Sequence, residues 1–305
     1  MTELYRKVAL IGMGLIGSSL ARGIRERTLA HSIHGVARSR QTIEIARELG
    51  LVDRMGASLE EAAEGADLVM LCTPVRTFGK IAQSIAPHLA SGATLTDVGS
   101  VKRYVIGAVS PHVPEHVQFV PAHPLAGTER SGPRAGFADL FVNRWCLITP
   151  LEDADSAAVD KLAEFWRRLG SQVDFMDAGH HDVVLAVTSH VPHLIAYSMV
   201  GTADHLHRVS NSEVIQYSAA GFRDFTRIAA SDPTMWHDVF LSNREATLDI
   251  LGRFTEELFA LQRAIRIGEG DTLLEYFQRT RAIRRGIVEA GQDTDRPDFG
   301  RAVRR

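Results

Sequence analysis

The sequence predicts an α/β domain built on a parallel sheet, followed by an all-α domain. Strand-like apolar runs alternate with helical runs up to about residue 176, which is the pattern of strands joined by crossover helices. From about residue 181 to residue 286 nearly every segment has helical character. We therefore expect the first domain to cover residues 1–178 and the helical domain to cover residues 179–305.

A glycine-rich motif at the first strand-helix junction makes the first domain Rossmann-like. The apolar run at residues 8–11 leads directly into GMGLIG, and a helical segment follows. The first glycine permits a tight turn, the second lets the backbone approach a pyrophosphate, and the third allows close helix-strand packing. The motif therefore predicts a dinucleotide-binding domain whose cofactor contacts include Gly12, Met13, Gly14, Leu15, Ile16 and Gly17.

The choice between NAD and NADP depends on the residues that follow the second strand. NAD-selective folds usually place Asp or Glu about 20 residues beyond the glycine motif, where it binds the ribose hydroxyls. This chain has Ala37 there, followed by Arg38, Ser39 and Arg40. A guanidinium and a hydroxyl suit a 2′-phosphate, although arginine can also stack on adenine. Arg38 and Ser39 therefore slightly favour NADP, and use of both cofactors remains open.

Further strand-like runs place polar residues at one edge of the predicted sheet. These runs cover residues 66–73, 93–97, 117–120, 145–149 and 172–176. Ligands of open parallel sheets bind beyond the carboxyl ends of the strands. Thr73, Pro74 and Ser100 lie at such ends, so we expect them to contact the cofactor.

His123 is the candidate for chemistry at this edge. Two prolines and a glycine in residues 120–127 predict a loop, so the imidazole is expected outside any helix or strand. A neutral imidazole titrates close to working pH and is the usual general base for a hydroxyl proton. The alternative is a surface histidine with no chemical role.

The helical half carries two further groups of polar residues. His190 and His193 are three residues apart and share one helical face. We expect no metal, because the chain has neither a thiolate partner for them nor an H-E-x-x-H motif. Asp224 and Arg227 also stand at helical spacing, and a solvated ion pair between them is one interpretation.

Composition excludes several other classes of protein. The chain has 305 residues, 45% of them hydrophobic, and a net charge of −3, which suits two domains with sizeable cores and argues against a nucleic-acid partner. It lacks a run of about 18 uninterrupted apolar residues and a convincing signal-peptide cleavage site, so we expect no membrane partner and a cytoplasmic protein. The polar tail from about residue 287 is expected to be disordered.

Five motifs, taken in order, resemble one enzyme family. GMGLIG, DVGSVK at 97–102, HPLAGTERSG at 123–132, SHVPH at 189–193 and GFRDFTRIAASDP at 221–233 are similar to motifs of the prephenate and arogenate dehydrogenases of tyrosine biosynthesis. The resemblance covers roughly residues 6–285. It implies a Rossmann-like domain, an all-α dimerisation domain that forms an intertwined homodimer, and NAD(P)-dependent oxidative decarboxylation of prephenate to 4-hydroxyphenylpyruvate.

The resemblance also implies roles for individual residues. His123 matches the catalytic base and Ser100 its companion near the substrate hydroxyl and the nicotinamide. Arg227 matches the arginine that binds a substrate carboxylate. The remaining matches to the substrate pocket are His190, His193, Glu129 and Asp224.

Three alternatives accompany this interpretation. An arogenate-specific enzyme, or one that accepts both substrates, would carry nearly the same motifs. A β-hydroxyacid dehydrogenase would share the domain order but would use a lysine of the helical domain, and this chain has no lysine after Lys161. A non-catalytic dinucleotide sensor would keep the fold without the chemistry. The surplus of apolar positions in segments 183–199 and 246–267 independently favours a homodimer.

Overall fold

The computed structural model describes residues 3–205, 213, 217 and 219–289. The strands are β1 (Tyr5–Ile11), β2 (Ala30–Val36), β3 (Arg54–Met55), β4 (Leu68–Leu71), β5 (Thr94–Asp97), β6 (Gln118–Phe119), β7 (Ala122–Pro124), β8 (Trp145–Ile148) and β9 (Gln172–Phe175). The helices up to residue 185 are α1 (Leu15–Glu26), α2 (Arg40–Glu48), α3 (Leu59–Ala63), α4 (Phe78–Ile85), α5 (Lys102–Val109), α6 (Ser156–Arg168) and α7 (Ala178–Leu185). The later helices are α8 (Val191–His205), α9 (Ala220–Thr226), α10 (Pro233–Ser242), α11 (Arg244–Ile267) and α12 (Gly270–Glu289).

Six strands form the parallel sheet that the sequence predicts. Their order is β3-β2-β1-β4-β5-β6, so the chain leaves β1 toward β2 on one side and returns to β4 on the other. Alternate residues of β1 pack into two different apolar clusters, Val8 and Leu10 in one, Ala9 and Ile11 in the other. Both faces of the sheet are therefore covered, as a parallel sheet requires. The crevice of a doubly wound fold lies where the strand order reverses, beyond Ile11 and Leu71.

The last three strands do not continue this sheet, contrary to the strand-helix alternation expected to residue 176. They form a separate sheet in the order β7-β8-β9, in which β7 and β8 are antiparallel. Only two residues separate β6 from β7. A parallel connection needs a crossover of about a dozen residues or more, so the chain cannot return to the first sheet there.

The expectation that His123 lies outside any strand is wrong. His123 is the central residue of β7 and pairs with Leu147 of β8. The prolines do not prevent this, because β7 is a three-residue strand at the edge of its sheet, where a missing N–H leaves no gap in a central ladder. The imidazole is consequently held by a strand rather than by a loop.

The turn between β1 and α1 has the geometry that its glycines predict. Gly12 has a φ of 109°, in the left-handed region, and a Cβ on it would lie 2.8 Å from the carbonyl oxygen of Cys72. A Cβ on Gly17 would lie 2.0 Å from the carbonyl oxygen of Gly12. A larger residue at Gly12 would collide with the end of β4, and one at Gly17 would push α1 away from the turn after β1.

The helical half begins with a continuous helical stretch, Ala178–Asp204, that contains a π-helical segment at Ala186–His190. Pro192 follows that segment and has no N–H to donate to the preceding turn. Pro233 occupies the first turn of α10, and the Asp232 side chain caps this helix by accepting from the N–H groups of Thr234 and Met235.

Packing divides the chain into two compact units, residues 1–248 and 249–305. The first unit reaches well beyond residue 178, because α7 contacts α5 and α10 contacts the short turn Val75–Thr77. The boundary near residue 178 stays a prediction that marks the change from α/β to α architecture. In the second unit α11 ends and α12 begins on either side of Gly268, and Phe259, Ile265 and Ile283 are more than 60% exposed. Residues 290–305 of the predicted tail lie outside the described residues.

One stretch among the described residues, Ala178–Asp204, is long and apolar enough to cross a membrane by length and composition. Its apolar residues are not uninterrupted, because Thr188, Ser189, His190 and His193 lie in its middle. Core helices of soluble proteins meet the same criterion, and here His181, Asp182 and His190 are buried and hydrogen-bonded inside the protein. The expected absence of a membrane partner stays a prediction.

A buried ion pair joins β5, α5 and β7. Lys102 Nζ donates to Asp97 Oδ2 at 2.5 Å and to the carbonyl oxygen of Ala122 at 2.6 Å, and both charged side chains are fully buried. Asp97 Oδ2 also accepts from the N–H of Gly99 at 2.8 Å. Burial lowers the pKa of Lys102, and the attraction of Asp97 opposes that shift. The pair therefore fixes the strand that carries His123 against the end of β5.

Lys102→Met should lower the free energy of unfolding by about 3–5 kcal/mol, because it leaves a buried carboxylate without its cation. Urea unfolding followed by circular dichroism at fixed protein concentration measures this change. The matched control is Lys80→Met, which removes an exposed lysine of α4 and should stay within about 0.5 kcal/mol of wild type. Equal stability of the two variants would contradict the structural role of the pair.

Candidate active site

Side chains from both halves of the first unit meet around His123. Its Nδ1 atom lies 3.0 Å from Nε2 of His181, and Nδ1 of His181 lies 2.8 Å from Oδ1 of Asp182. His181 and Asp182 are buried, whereas His123 retains 8% of its surface exposed. The three residues form a hydrogen-bonded chain, which we call the His123 relay, that leads from the Asp182 carboxylate to the His123 imidazole.

Asp182 anchors the relay to the start of α5. Its Oδ1 accepts from the N–H of Lys102 at 2.7 Å and its Oδ2 accepts from the N–H of Arg103 at 3.0 Å. These amides have no partner inside their own helix, and the helix N-terminus favours a negative charge. Asp182 therefore acts as an acceptor at both oxygens.

These contacts determine where the protons of the relay sit. Because Asp182 accepts, Nδ1 of His181 must donate to it, which leaves Nε2 of neutral His181 as an acceptor. Nδ1 of His123 then donates to that atom. Nε2 of neutral His123 consequently carries a lone pair, the form that a general base requires.

The surroundings keep His123 neutral. Burial lowers its pKa well below the ordinary histidine value, and the neighbouring His181 and Lys102 lower it further. Burial also lowers the pKa of His181, against the opposing effect of Asp182. Both rings are therefore uncharged at neutral pH. If His123 accepts a proton, the carboxylate of Asp182, at the other end of the relay, can stabilise the resulting charge through His181.

His190 and His193 share one helical face, as predicted, and both contact Trp236. The His193 ring stacks on the indole with centroids 3.7 Å apart, and the His190 ring approaches its edge at 6.1 Å. Nδ1 of His193 donates to the carbonyl oxygen of Ser189 at 2.8 Å. Burial lowers the pKa of His193 and lowers that of His190 to about 4. The helical wall of the site is therefore lined by neutral imidazoles.

Arg227 supplies a cation close to these histidines. Its Nη1 atom lies 3.2 Å from Oε2 of Glu129, and the Arg227 side chain is 37% exposed. Its charge contributes to the lowered pKa of His193. The interpretation of Arg227 and Asp224 as an ion pair is wrong, because Asp224 faces the exposed side chain of Arg223 instead, at 3.7 Å. Glu129 is thus the carboxylate beside Arg227, and a role for Asp224 in the pocket stays a prediction.

The residues expected to hold the cofactor lie along the carboxyl edge of the parallel sheet. Gly14 caps α1 without any side-chain hydrogen bond, and a Cβ built on it would meet no atom within 4 Å. Thr73 shares a 2.7 Å hydrogen bond with Thr77 in the turn after β4, and Ser100 follows Gly99 after β5. Open space in front of uncapped helix amides fits a pyrophosphate.

The residues near the second strand fit either nicotinamide cofactor. Arg38 is exposed and follows the end of β2. The Ser39 hydroxyl caps α2 by accepting from the N–H of Thr42. A helix N-terminus with a serine and an arginine beside it suits a phosphate, and nothing in this arrangement repels an unphosphorylated ribose.

Sequence reasoning missed four residues that build this site. His181, Asp182, Trp236 and Asn243 are buried around the relay and the helical wall. The His180-His181-Asp182 triplet, placed where the helical half begins, was the signal for the first two. Within the described ranges the structure contains no group of three or more His, Cys, Asp or Glu side chains that could hold a metal ion.

Comparison with known proteins gives the same picture over nearly the whole chain. Residues 20–175 match the family model described as prephenate dehydrogenase, nucleotide-binding domain, and residues 177–279 match its dimerization domain. A cyclohexadienyl dehydrogenase of Zymomonas mobilis is 40% identical over 92% of this chain and 95% of its own length.

Two solved structures are similar throughout. One is the prephenate dehydrogenase of Aquifex aeolicus in complex with hydroxyphenyl propionate and NAD+, with a TM-score of 0.85 and 33% identity over 92% of this chain and 98% of that one. The other is the arogenate dehydrogenase of Synechocystis, with a TM-score of 0.76 and 28% identity over 92% and 99% of the two chains.

Most of the nucleotide-binding domain and the helical wall thus lie in segments that match two family models, and a 40% identical relative covers 92% of the chain. The chain belongs to the prephenate dehydrogenase family of oxidoreductases, with a domain for a nicotinamide cofactor and a dimerisation domain.

Proposed function

We propose that this enzyme is a cytoplasmic prephenate dehydrogenase that converts prephenate to 4-hydroxyphenylpyruvate in tyrosine biosynthesis, with NAD or NADP as hydride acceptor. The observation that carries the proposal is the His123 relay, which leaves an unprotonated Nε2 on an imidazole at the carboxyl edge of the nucleotide-binding domain. The reaction needs a base at that place, because the substrate hydroxyl must lose its proton.

Aromatisation of the ring drives the reaction, so the protein mainly has to accept the hydroxyl proton and position the substrate. Prephenate is a cyclohexadienol with a ring carboxylate, so loss of hydride from the carbinol carbon and of CO2 from the opposite carbon gives an aromatic ring. The bound nicotinamide would accept the hydride. His123 takes the hydroxyl proton at Nε2, and Asp182 stabilises the resulting imidazolium through His181. Ser100, the companion of His123 in the family motif, is assigned to the same hydroxyl.

Arg227 is proposed to bind a carboxylate of the substrate. Its guanidinium is partly exposed and pairs with Glu129, a contact that an incoming carboxylate can replace. His190 and His193 line the helical wall beside it and present neutral rings. This arrangement supplies one mobile cation for a dianionic substrate, which avoids over-stabilising the carboxylate that must leave.

Prephenate is favoured over arogenate as substrate. The presence of His190, His193 and Glu129 together resembles the prephenate-accepting members of the family. The related cyclohexadienyl and arogenate dehydrogenases make an enzyme that accepts both substrates, or arogenate alone, the alternatives. For the cofactor, Arg38 and Ser39 slightly favour NADP, and use of both nucleotides is the second possibility.

A homodimer is proposed as the working form. The segment 177–279 matches a domain described as a dimerization domain. Large apolar side chains are about half exposed or more on its helices, among them Val187, Leu248, Phe259, Ile265 and Phe277. Monomeric proteins rarely expose so many apolar residues on one domain.

The direct test of the proposed function is an assay of the purified protein with prephenate and arogenate, each with NAD and NADP. We expect turnover of prephenate, and a kcat/KM with NADP that is at least comparable to that with NAD. Good activity with arogenate and none with prephenate would overturn the substrate assignment. A preference of more than about tenfold for NAD, worth about 1.4 kcal/mol, would overturn the cofactor assignment.

His123→Asn should fold and bind cofactor but lose about 10²–10⁴ in kcat, because asparagine cannot accept the proton. In the wild type, kcat/KM should fall as pH falls through the His123 pKa, which burial places below the ordinary histidine value. The variant should lack this acidic limb. His31→Asn, at an exposed histidine, is the control and should behave as wild type. If His123→Asn keeps both wild-type turnover and the acidic limb of its kcat/KM profile, the base lies elsewhere.

Arg227→Ala should instead raise the KM for prephenate while cofactor binding stays nearly unchanged. Loss of a charged contact of about 2 kcal/mol or more corresponds to at least roughly 30-fold in kcat/KM. Arg223→Ala removes an exposed arginine one turn away on the same helix and should change KM little. A KM for Arg227→Ala within about twofold of wild type would argue that Arg227 only pairs with Glu129.

Multi-angle light scattering at micromolar concentration should give twice the 33.5 kDa mass of the chain. Burial of the exposed apolar side chains of 177–279 is the physical reason. A monomer mass would refute the homodimer.

A further inference from the structure

The two ring nitrogens of His190 have different surroundings. Nδ1 lies 3.0 Å from Nδ2 of Asn243, a residue that none of the sequence motifs contains. Nε2 is buried and has no hydrogen-bond partner in the part of the chain that the structure describes. Which nitrogen carries the proton therefore decides whether this ring offers a donor or an acceptor at Nε2.

The Asn243 amide identifies the proton. Its Nδ2 atom also lies 2.8 Å from the carbonyl oxygen of Asp182, and a carbonyl oxygen can only accept. The atom between Asp182 and His190 is therefore the NH2 group, with one hydrogen for each. Nδ1 of His190 accepts the second hydrogen, so the proton of the neutral ring must be on Nε2. Burial keeps the ring neutral by lowering its pKa to about 4.

Asn243 is itself held firmly. It is 5% exposed at the junction of α10 and α11, its N–H donates to the carbonyl oxygen of Val239 at 2.8 Å, and its own carbonyl oxygen accepts from the N–H of Thr247 at 3.0 Å. The side chain thus connects the Asp182 carbonyl oxygen to the His190 ring, two points on the same continuous helical stretch. A side chain fixed in this way can impose one tautomer on its neighbour.

We propose that Asn243 is a positioning residue that holds His190 as the Nε2–H tautomer, and that this N–H donates to an oxygen of the bound substrate. A buried donor without an acceptor is costly, so its retention calls for an acceptor that arrives later. His190 lies close enough to His123 and His193 to influence the site electrostatically. A neutral donor there binds an anionic oxygen without adding a second cation beside Arg227.

This inference rests on the proposed function for the identity of the substrate, but the tautomer can be measured without turnover. Nitrogen-15 NMR of histidine-labelled wild-type enzyme at pH 7, with the His190 signals assigned by their loss in His190→Gln, should show the proton on Nε2. Addition of 4-hydroxyphenylpyruvate in the presence of cofactor should shift the Nε2 signal. A proton on Nδ1, or an Nε2 signal that the product leaves unchanged, would overturn the inference.

Variants of Asn243 test the positioning role. Asn243→Asp replaces the donor with an acceptor of the same shape and should move the His190 proton to Nδ1. Asn243→Ala should leave a mixture of tautomers. Both should raise the KM for prephenate about 10- to 100-fold, as expected for a lost or misdirected hydrogen bond. The KM for cofactor should not change, because cofactor binding depends on other residues.

A double-mutant cycle separates positioning from general destabilisation. If Asn243 acts through His190, adding Asn243→Asp to His190→Gln should raise KM no further than His190→Gln alone. Additive effects would show that Asn243 supports the fold and not the tautomer. The surface variant Asn143→Asp, at an exposed asparagine, is the matched control and should leave the tautomer and KM unchanged.

The outcomes distinguish this inference from the proposed function. An enzyme that turns over prephenate but has the His190 proton on Nδ1 contradicts the inference alone. An enzyme with the proton on Nε2 but no prephenate turnover contradicts the proposed function alone. The wild-type NMR measurement decides the tautomer even if an Asn243 variant fails to fold.

Discussion

The geometry of the site depends on one carboxylate, Asp182, which accepts from three donors at once. Two of them are the first N–H groups of α5, and the third is the His181 ring. The first two contacts dock α7 onto the nucleotide-binding sheet, and the third determines the protonation of the relay. Because one side chain makes both connections, the position of the helical wall and the basicity of His123 cannot vary independently. The same side chain therefore has a structural role, through its hydrogen bonds to α5, and a chemical role, through its hydrogen bond to His181.

The charged and titratable side chains of the site differ in burial and in charge state. The Lys102–Asp97 pair lies fully buried beneath β7, where desolvation is severe and only good hydrogen bonding makes an ion pair tolerable. Above it stand four imidazoles whose pKa values burial lowers, at positions 123, 181, 190 and 193. Arg227, beside the helical wall, is partly exposed and pairs with Glu129. The buried ion pair therefore belongs to the framework, whereas the neutral rings and the partly exposed guanidinium lie where the proposed chemistry needs them.

Much of the fold follows from local sequence, and the site follows only in part. The glycine turn is determined by sterics within a few residues, so Gly12 and Gly17 could be interpreted without a structure. His123 was identified, but its strand was not, because β7 pairs with β8 across a long connection that no local pattern records. The His123 relay could not be predicted from local sequence for the same reason, because His123 and His181 are 58 residues apart in the chain. Arg227 was assigned by its motif, yet only tertiary packing selects Glu129 over the nearer Asp224 as its neighbour.

The π-helical segment Ala186–His190 has a consequence for the phase of the long helix. His181 and His190 are nine residues apart, which is two and a half turns of a regular α-helix and would place them on opposite sides. A π-bulge accommodates one extra residue and rotates everything after it by about 100°. The extra residue therefore changes the helical phase between the two histidines. His181 contacts His123, and His190 turns toward Asn243 on the same side of the helix. A local irregularity in the backbone thus lets one continuous helix direct His181 toward His123 and His190 toward Asn243.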